Sequence, residues 1–388
     1  MNKYIGFIFV VACLLTACTM QKEPEMTPWG TVVGEEEAAD GDVASAKEKR
    51  TYSLGDIIEN GEIIVLTVSG PDTYYDYHGH GLGVQYMMCE QFADKIGVSA
   101  RVELCKDTAE MVRKLGEGYG DVIAVQLPIE KWASYPNHSS TTKDGKEGGA
   151  PLRFCGAYDK KRHTSWAVSR ENTELADSFD RWFTADLPAK TLAREDYLLS
   201  LRLTHSAGYI AHASAYTPKS STYNHLFQRY AGAAGLDWRL LAAQCYQESG
   251  YDAGAHSWAG ACGLMQIMPS TADRLGLARA DIFNPEKNVA AGAKLMGMLM
   301  REFADIPNRS ERLNFALASY NGGSGHVRDA MALARKYGGN PHSWASVGQY
   351  ILKLQQPEYY QDPVVRHGFL RGTETYNYVR SIRQRYGG

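Results

Sequence analysis

Gln247-Glu248-Ser249-Gly250-Tyr251-Asp252, then Ser257-Trp258-Ala259-Gly260-Ala261-Cys262-Gly263-Leu264-Met265-Gln266-Ile267-Met268-Pro269, is the stretch around which this chain is organised. It begins as a helix. From Leu236 to Glu248, Leu236, Leu240, Ala243 and Gln247 recur near 3.6 residues, with Leu241 and Cys245 alongside. Asp237 is the expected N-cap, and Gly250 the stop. Glu248 therefore falls in the last turn, where the negative end of the helix dipole disfavours a carboxylate. Partial burial acts in the same direction. Such a carboxyl group, protonated near neutrality, suits a general acid. Position alone favours a surface glutamate at a helix end.

The glycine-rich loop that follows separates the two readings. Glu248-Ser249 followed by Ser257 through Pro269 resembles the soluble-lytic-transglycosylase (SLT) catalytic domain, which is similar in fold to goose-type lysozyme. Later blocks agree in order: Ala318-Ser319-Tyr320-Asn321-Gly322-Gly323, with Ser319 where that family carries Ala, and Glu374-Thr375-Tyr376-Asn377-Tyr378-Val379. The resemblance implies an all-α, lysozyme-like domain over roughly 221–388. In it, Glu248 is the catalytic acid and then base. Ser257 and Gln266 bind sugar N-acetyl groups, Met265 lines the cleft, and Tyr320 lies near the substrate acetamido group. Asn321 shapes the cleft, Tyr378 borders Glu248, and Ser249 and Glu374 are supporting residues. Helices are expected from Thr271, from Asn284-Pro285 and from Arg309 to Tyr320.

A hydrolytic glycosidase ordinarily uses two carboxylates. No Asp or Glu lies between Asp252 and Asp273, so the loop after Glu248 supplies no second acid. This fits the transglycosylase chemistry that the resemblance implies: cleavage of the MurNAc-β-1,4-GlcNAc bond without water, leaving 1,6-anhydro-MurNAc ends. Two alternatives stay open: a lysozyme-type hydrolase with the same acid, and a non-catalytic wall-binding or sensing lipoprotein.

Upstream, Ile63 to Val68 is an apolar, β-branched run that reads as a buried strand. Helical spacing follows over Val84 to Ile96, and a second strand over Ala100 to Leu104. A short helix capped by Thr108 carries Met111, Val112 and Leu115, before a third strand at Asp121 to Val125. Strands alternating with helices predict a small doubly wound α/β unit. Gly79, Gly81 and Gly83 lack the Lys-Ser/Thr of a phosphate loop. The order of elements, with Gly120-Asp121-Val122-Ile123-Ala124 and the returning Arg153 to Tyr158 and Ser165 to Val168, resembles the extracellular solute-binding domain, type 3. Only a short Gly/Ser/Thr/Lys-rich segment separates Asp121 from that return, so one lobe is expected over 55–210 and weak or no ligand binding. A muropeptide or protein regulator is the partner to test there. Ala193 to Thr204 is helical, and His205 to Thr222 reads as a linker.

The N-terminus gives the address. Lys3, an apolar run from Ile5 to Leu15, and Leu15-Thr16-Ala17-Cys18 read as a secretory signal over 1–18. The tetrapeptide resembles a bacterial lipobox, which implies lipidation of Cys18 and anchoring in the cell envelope, with the outer membrane facing the periplasm as the implied site. Residues 19–54, acidic and poor in bulky apolar groups, read as a disordered tether. The joined architecture resembles the F-type membrane-bound lytic transglycosylases. The 388 residues, 44% of them hydrophobic, are enough for two domains, and a net charge of −3 gives no basic field for nucleic acid. Of seven cysteines, five remain after Cys13 and Cys18. Cys245 and Cys262 read either as a bridge under the catalytic loop or as free buried thiols. No Cys or His spacing suggests a metal, and no cofactor is implied. Peptidoglycan strands and the membrane are the expected partners.

Overall fold

The apolar run at Ile63 is an interior strand of a five-stranded sheet. The computed structural model describes residues 52–133, 137–141, 147–148, 152–212 and 222–387. The signal, Cys18 and nearly all of the tether lie outside them. At its C-terminal edge the tether gives way to helix α1 (Leu54–Asn60), where a periodic reading expected none. Ser53 and Asp56 form a reciprocal capping box that closes the first turn.

The strands are β1 (Glu62–Thr67), β2 (Tyr75–Tyr77), β3 (His80–Leu82), β4 (Ser99–Leu104), β5 (Val122–Pro128), β6 (Asn137–Thr141), β7 (Glu147–Gly148), β8 (Leu152–Asp159) and β9 (Thr164–Ser169). The main sheet runs β4-β1-β5-β9-β8. Its first three strands are parallel, and β9 and β8 return antiparallel. Helices α2 (Val84–Ile96), α3 (Thr108–Glu117), α4 (Ile129–Ala133) and α5 (Thr173–Trp182) cover the two faces. Alternation decides which residue meets which layer. Ile63 and Val65 join Met88, Phe92 and Phe179 on one side, while Leu66 and Ile123 join Met111 and Leu115 on the other. Asp107, not Thr108, caps α3, accepting from Glu110 N–H. Both residue types cap well, and the extended backbone falls at Asp107. This is the expected doubly wound α/β lobe.

Helix α6 (Leu187–His212) runs eight residues past the anticipated end at Thr204. No proline interrupts Ala193 to His212, so nothing in the local sequence forces a stop. The linker reading therefore shrinks to residues beyond His212. The side chains of His205 and His212 lie outside the described set.

The remainder is helical: α7 (Asn224–Ala231), α8 (Trp238–Ser249), α9 (Pro269–Leu275), α10 (Pro285–Glu302), α11 (Arg309–Gly322), α12 (Ser324–Lys336), α13 (Trp344–Lys353), α14 (Pro357–Tyr360) and α15 (Gly372–Tyr386). Helix α9 starts at Pro269 rather than Thr271, because proline at the first helical position loses no hydrogen bond. One apolar core joins α8, α10, α11, α12, α13 and α15. Met296 and Met300 are buried in it, while Met298 packs at its margin.

The two halves meet through β2–β3 and the ends of the parallel strands. Doubly wound sheets commonly place ligands at the C-terminal ends of such strands. Here that edge is covered by the helical half. Ser69 Oγ accepts from Phe369 N–H at 2.8 Å, and the Phe369 ring lies edge-on to both Tyr75 and Tyr360.

Candidate active site

Helix α8 delivers Glu248 to the surface end of the helical core. Asp237 caps its start, with Oδ1 accepting from Arg239 N–H, and Gly250 closes it in the left-handed conformation. Both were legible in the sequence. Eight of the twelve helix residues are buried, among them Leu241 and Cys245, so the helix end cannot shift without disturbing packing.

Residues 255–267 fold back over that end and are pinned at three levels. Ser249 Oγ donates to Leu264 O at 2.8 Å, and Cys245 Sγ to the same carbonyl at 3.3 Å. Tyr320 Oη, from α11, donates to Met265 O at 2.8 Å. Asn288, from α10 and with 0% exposure, reaches the loop from below. Its Oδ1 accepts from Met265 N–H at 2.8 Å, and its Nδ2 donates to Cys262 O at 3.0 Å and Ile282 O at 2.7 Å. Gly263 sits where a Cβ would come 2.6 Å from Asn288 Nδ2, and its φ of 73° belongs to the left-handed region.

Helix α15 forms the facing wall. Tyr378 Oη donates to Glu248 Oε1 at 2.5 Å and accepts from Gln244 Nε2 at 3.1 Å. Because the amide can only donate, the phenol proton points at the carboxylate. Burial, and after it the neighbouring Glu248 charge, holds the hydroxyls of Tyr320 and Tyr378 far above their ordinary pKa. Both stay neutral donors at any physiological pH.

The remaining anticipated residues fall as follows. Ser257 is half-buried, and its Oγ accepts from Ala261 N–H at 2.9 Å, which shapes the loop. Gln266 adopts φ 47°, a conformation unfavourable for a side-chain-bearing residue. Its Nε2 donates to Ala255 O and Gly263 O, at 3.2 and 2.9 Å. That spends the amide's two donor hydrogens within the loop and leaves the amide oxygen as its group for a ligand. Met265 departs from the expectation of a cleft-lining residue. It is 0% exposed and packs on Gly292, where a Cβ would meet Met265 Cγ at 2.7 Å. Asn321 is buried and accepts from Thr375 Oγ1 at 2.8 Å, joining α11 to α15. Glu374, one turn before Tyr378, accepts from Tyr77 Oη at 3.0 Å. Cys245 and Cys262 are free buried thiols rather than a bridge, and burial raises the pKa of both.

Asn288, Gln244 and the hairpin residues Tyr77, His78 and His80 were not singled out from sequence. Asn288 follows an Asn-Pro helix start and reads there as a first-turn polar residue. Only the fold reveals its three partners.

Asp252, the nearest acid in sequence to Glu248, is exposed and turned back onto Gly254 N–H at 2.9 Å. The loop itself brings no second carboxylate to Glu248. A carboxyl group with a neutral phenol donor beside it can give a proton to an oxygen held against it and take one back.

Residues 225–342, within the helical half, match the class of the Transglycosylase SLT domain. The particular relatives are narrower. Over 420 aligned residues, covering 86% of this chain and 91% of the relative, the protein is 27% identical to the membrane-bound lytic murein transglycosylase F of Desulfosudis oleivorans. Among solved structures, the 70 kDa soluble lytic transglycosylase of Escherichia coli matches 42% of this chain at 24% identity and a TM-score of 0.31. That match spans 23% of the larger protein. The arginine-bound domain 1 of TmArgBP matches 35% of this chain at 17% identity and a TM-score of 0.23, over 97% of its own length.

Proposed function

We propose that the protein is a peptidoglycan lytic transglycosylase, a lyase that cuts the MurNAc-β-1,4-GlcNAc bond and leaves 1,6-anhydro-MurNAc ends. The observation that carries this reading is Glu248 at the end of α8, held by the Tyr378 hydroxyl at 2.5 Å over a loop that contains no second acid. Protonated Glu248 gives its proton to the glycosidic oxygen. The substrate's 2-acetamido oxygen then stabilises the sugar cation in place of a protein nucleophile. Glu248, now a carboxylate, takes the proton of the muramyl 6-hydroxyl as that oxygen closes on C1. One bond breaks and one forms, and water is not consumed. Tyr378 holds one carboxylate oxygen, so the proton is carried on the other.

Ser257, Gln266, Tyr320, Asn321 and Tyr378 are assigned to substrate binding and shaping of the cleft, with Ser249 and Glu374 in support. Met265 serves from beneath the loop. Peptidoglycan fits because its N-acetyl groups need acceptors and donors held at fixed positions, which the pinned loop supplies. The signal over 1–18 and the lipobox cysteine support an envelope lipoprotein anchored through Cys18, at the outer membrane, with 19–54 as tether, 55–210 as the solute-binding-like lobe and 221–388 as the catalytic domain. Among the described residues no helix is long and apolar enough to cross a membrane. A Cys18→Ala variant should move from the membrane to the soluble fraction of the envelope.

Mass spectrometry of digested sacculi tests the chemistry. Anhydro-muramyl ends are expected. Products that end only in reducing sugars would replace this reading with a hydrolytic one.

A further inference from the structure

We propose that the β2–β3 hairpin of the N-terminal lobe closes one end of the glycan cleft and so confines cleavage to strand termini, with Tyr77 as the specificity-determining residue. This rests on the cleft reading above. Tyr77 touches both walls. Its ring stacks on Trp258, next to Ser257 in the catalytic loop, with centroids 5.6 Å apart and planes at 6°. Its hydroxyl donates to Glu374 Oε2 at 3.0 Å, on the helix that carries Tyr378. Glu374 and Tyr378 are four residues apart and lie on one helical face, about 6 Å along the axis. The bridge thus stands one turn from Tyr378, which donates to the carboxyl group that would cut the strand.

Neighbouring residues reinforce the crossing. His78 Nε2 lies 3.4 Å from Glu374 Oε1, and His80 Nε2 lies 2.7 Å from Ala259 O, immediately beyond Trp258. The tip therefore grips the helix wall with one histidine and the loop wall with the other. Its geometry is well defined. Tyr77 pairs with His80 across the two-residue turn His78-Gly79, and both turn residues have positive φ, 53° and 81°. That is the turn whose twist matches a hairpin. Asp76 Oδ1 accepts from Gly79 N–H at 3.0 Å and braces the turn. The hairpin base is equally fixed: Glu195 Oε1 accepts from Tyr75 Oη at 2.7 Å and from Gly83 N–H at 3.1 Å. Swinging the hairpin aside would break buried hydrogen bonds and the Tyr75–Phe369 contact together.

A groove open at both ends accepts the middle of a polymer, whereas a groove with a wall across it accepts only an end. The wall here is contributed by a different domain from the one that carries Glu248. The SLT domain by itself would leave that end open.

The test uses the full-length protein on long, peptide-free glycan strands, with product lengths followed by size separation from the first few per cent of conversion. The wild type should release short products while the long strands persist. Tyr77→Ala should produce mid-length fragments at the same conversion, with a fall in average strand length at least several-fold faster per bond cut. Identical length distributions from variant and wild type, or mid-length fragments from the wild type at early conversion, would overturn the proposal. If Tyr77→Ala does not fold, the wild-type distribution decides alone: end-on release supports the wall and mid-strand release refutes it. End-group chemistry is read separately by mass, so reducing instead of anhydro ends would displace the transglycosylase reading without touching the length result.

Discussion

Asn288→Ala removes the buried side chain that holds the 255–267 loop to α10, and its consequence can be worked from the bonds it makes. Three hydrogen bonds disappear. Cys262 O keeps a second partner in Ile267 N–H, so the main cost falls on Met265 N–H and Ile282 O. Leaving a buried backbone group unpaired costs about 1–3 kcal/mol. Two such groups, offset by whatever water enters the space, give a loss of about 3 kcal/mol. For a domain of this size the melting temperature should fall by about 6–12 °C. Function should suffer more than stability. Gln266 and the Leu264 carbonyl that receives Ser249 both belong to the loop, and a shift of about 1 Å in positioning groups can cost about 10²-fold in rate. The assays are thermal unfolding by circular dichroism and the clearing of a sacculus suspension. A variant that melts within about 2 °C of wild type and clears sacculi at full rate would refute the account of the loop as a structure held from below. Asn288→Asp discriminates further. It retains the acceptor for Met265 N–H but turns a carboxyl group toward two carbonyl oxygens, so it should be no better than alanine above the carboxyl pKa.

Three other outcomes are expected. Glu248→Gln should lose about 10²–10⁴-fold in sacculus clearing with its melting temperature near wild type, and full activity would remove Glu248 as the acid. Tyr378→Phe deletes the 2.5 Å donor to Glu248 and the acceptor of Gln244 Nε2. The lost charge-assisted bond corresponds to about 10–100-fold in turnover, and a variant within twofold of wild type would contradict it. Asp121 is held near a pKa of about 6 by burial, although Ile64 N–H donates to it at 2.7 Å. Its raised pKa means that the folded state binds the proton more tightly than the unfolded chain, so this site favours folding at acid pH and loses that contribution between about pH 4 and 6. Asp121→Asn keeps the acceptor and should gain up to about 3 kcal/mol over wild type at pH 7, the gain shrinking toward pH 4. Parallel denaturant titrations at the two pH values check this, and a pH-independent difference would exclude it.

Much of the site was legible in the linear sequence because its determinants are local. The cap at Asp237, the stop at Gly250, the position of Glu248 in the last turn and the carboxylate-free loop all follow from residues within one or two turns of each other. The same holds for β1, α2 and the alternation that builds the α/β lobe. Element ends were less accessible. Asp107 and Thr108 are both good caps, and backbone extension selects between them. Pro269 and Thr271 can both open α9, and the earlier residue prevails because proline fits the first helical position.

What the tertiary structure decided depends on contacts between residues far apart in sequence. Met265 belongs to a motif that reads as cleft lining, but the approach of Gly292 turns its side chain into the core. Asn288 looks like an ordinary first-turn polar residue until α10 passes beneath the loop. Tyr378 meets Glu248 across 130 positions, and Tyr77 meets Glu374 across 297. Local periodicity carries no information about such pairs, because they exist only once two separate cores have formed and packed. Glu248 and the loop that follows it are thus written in one short stretch of sequence. The groups that hold them in place, and the hairpin whose Tyr77 meets Trp258 and Glu374, come from the whole fold.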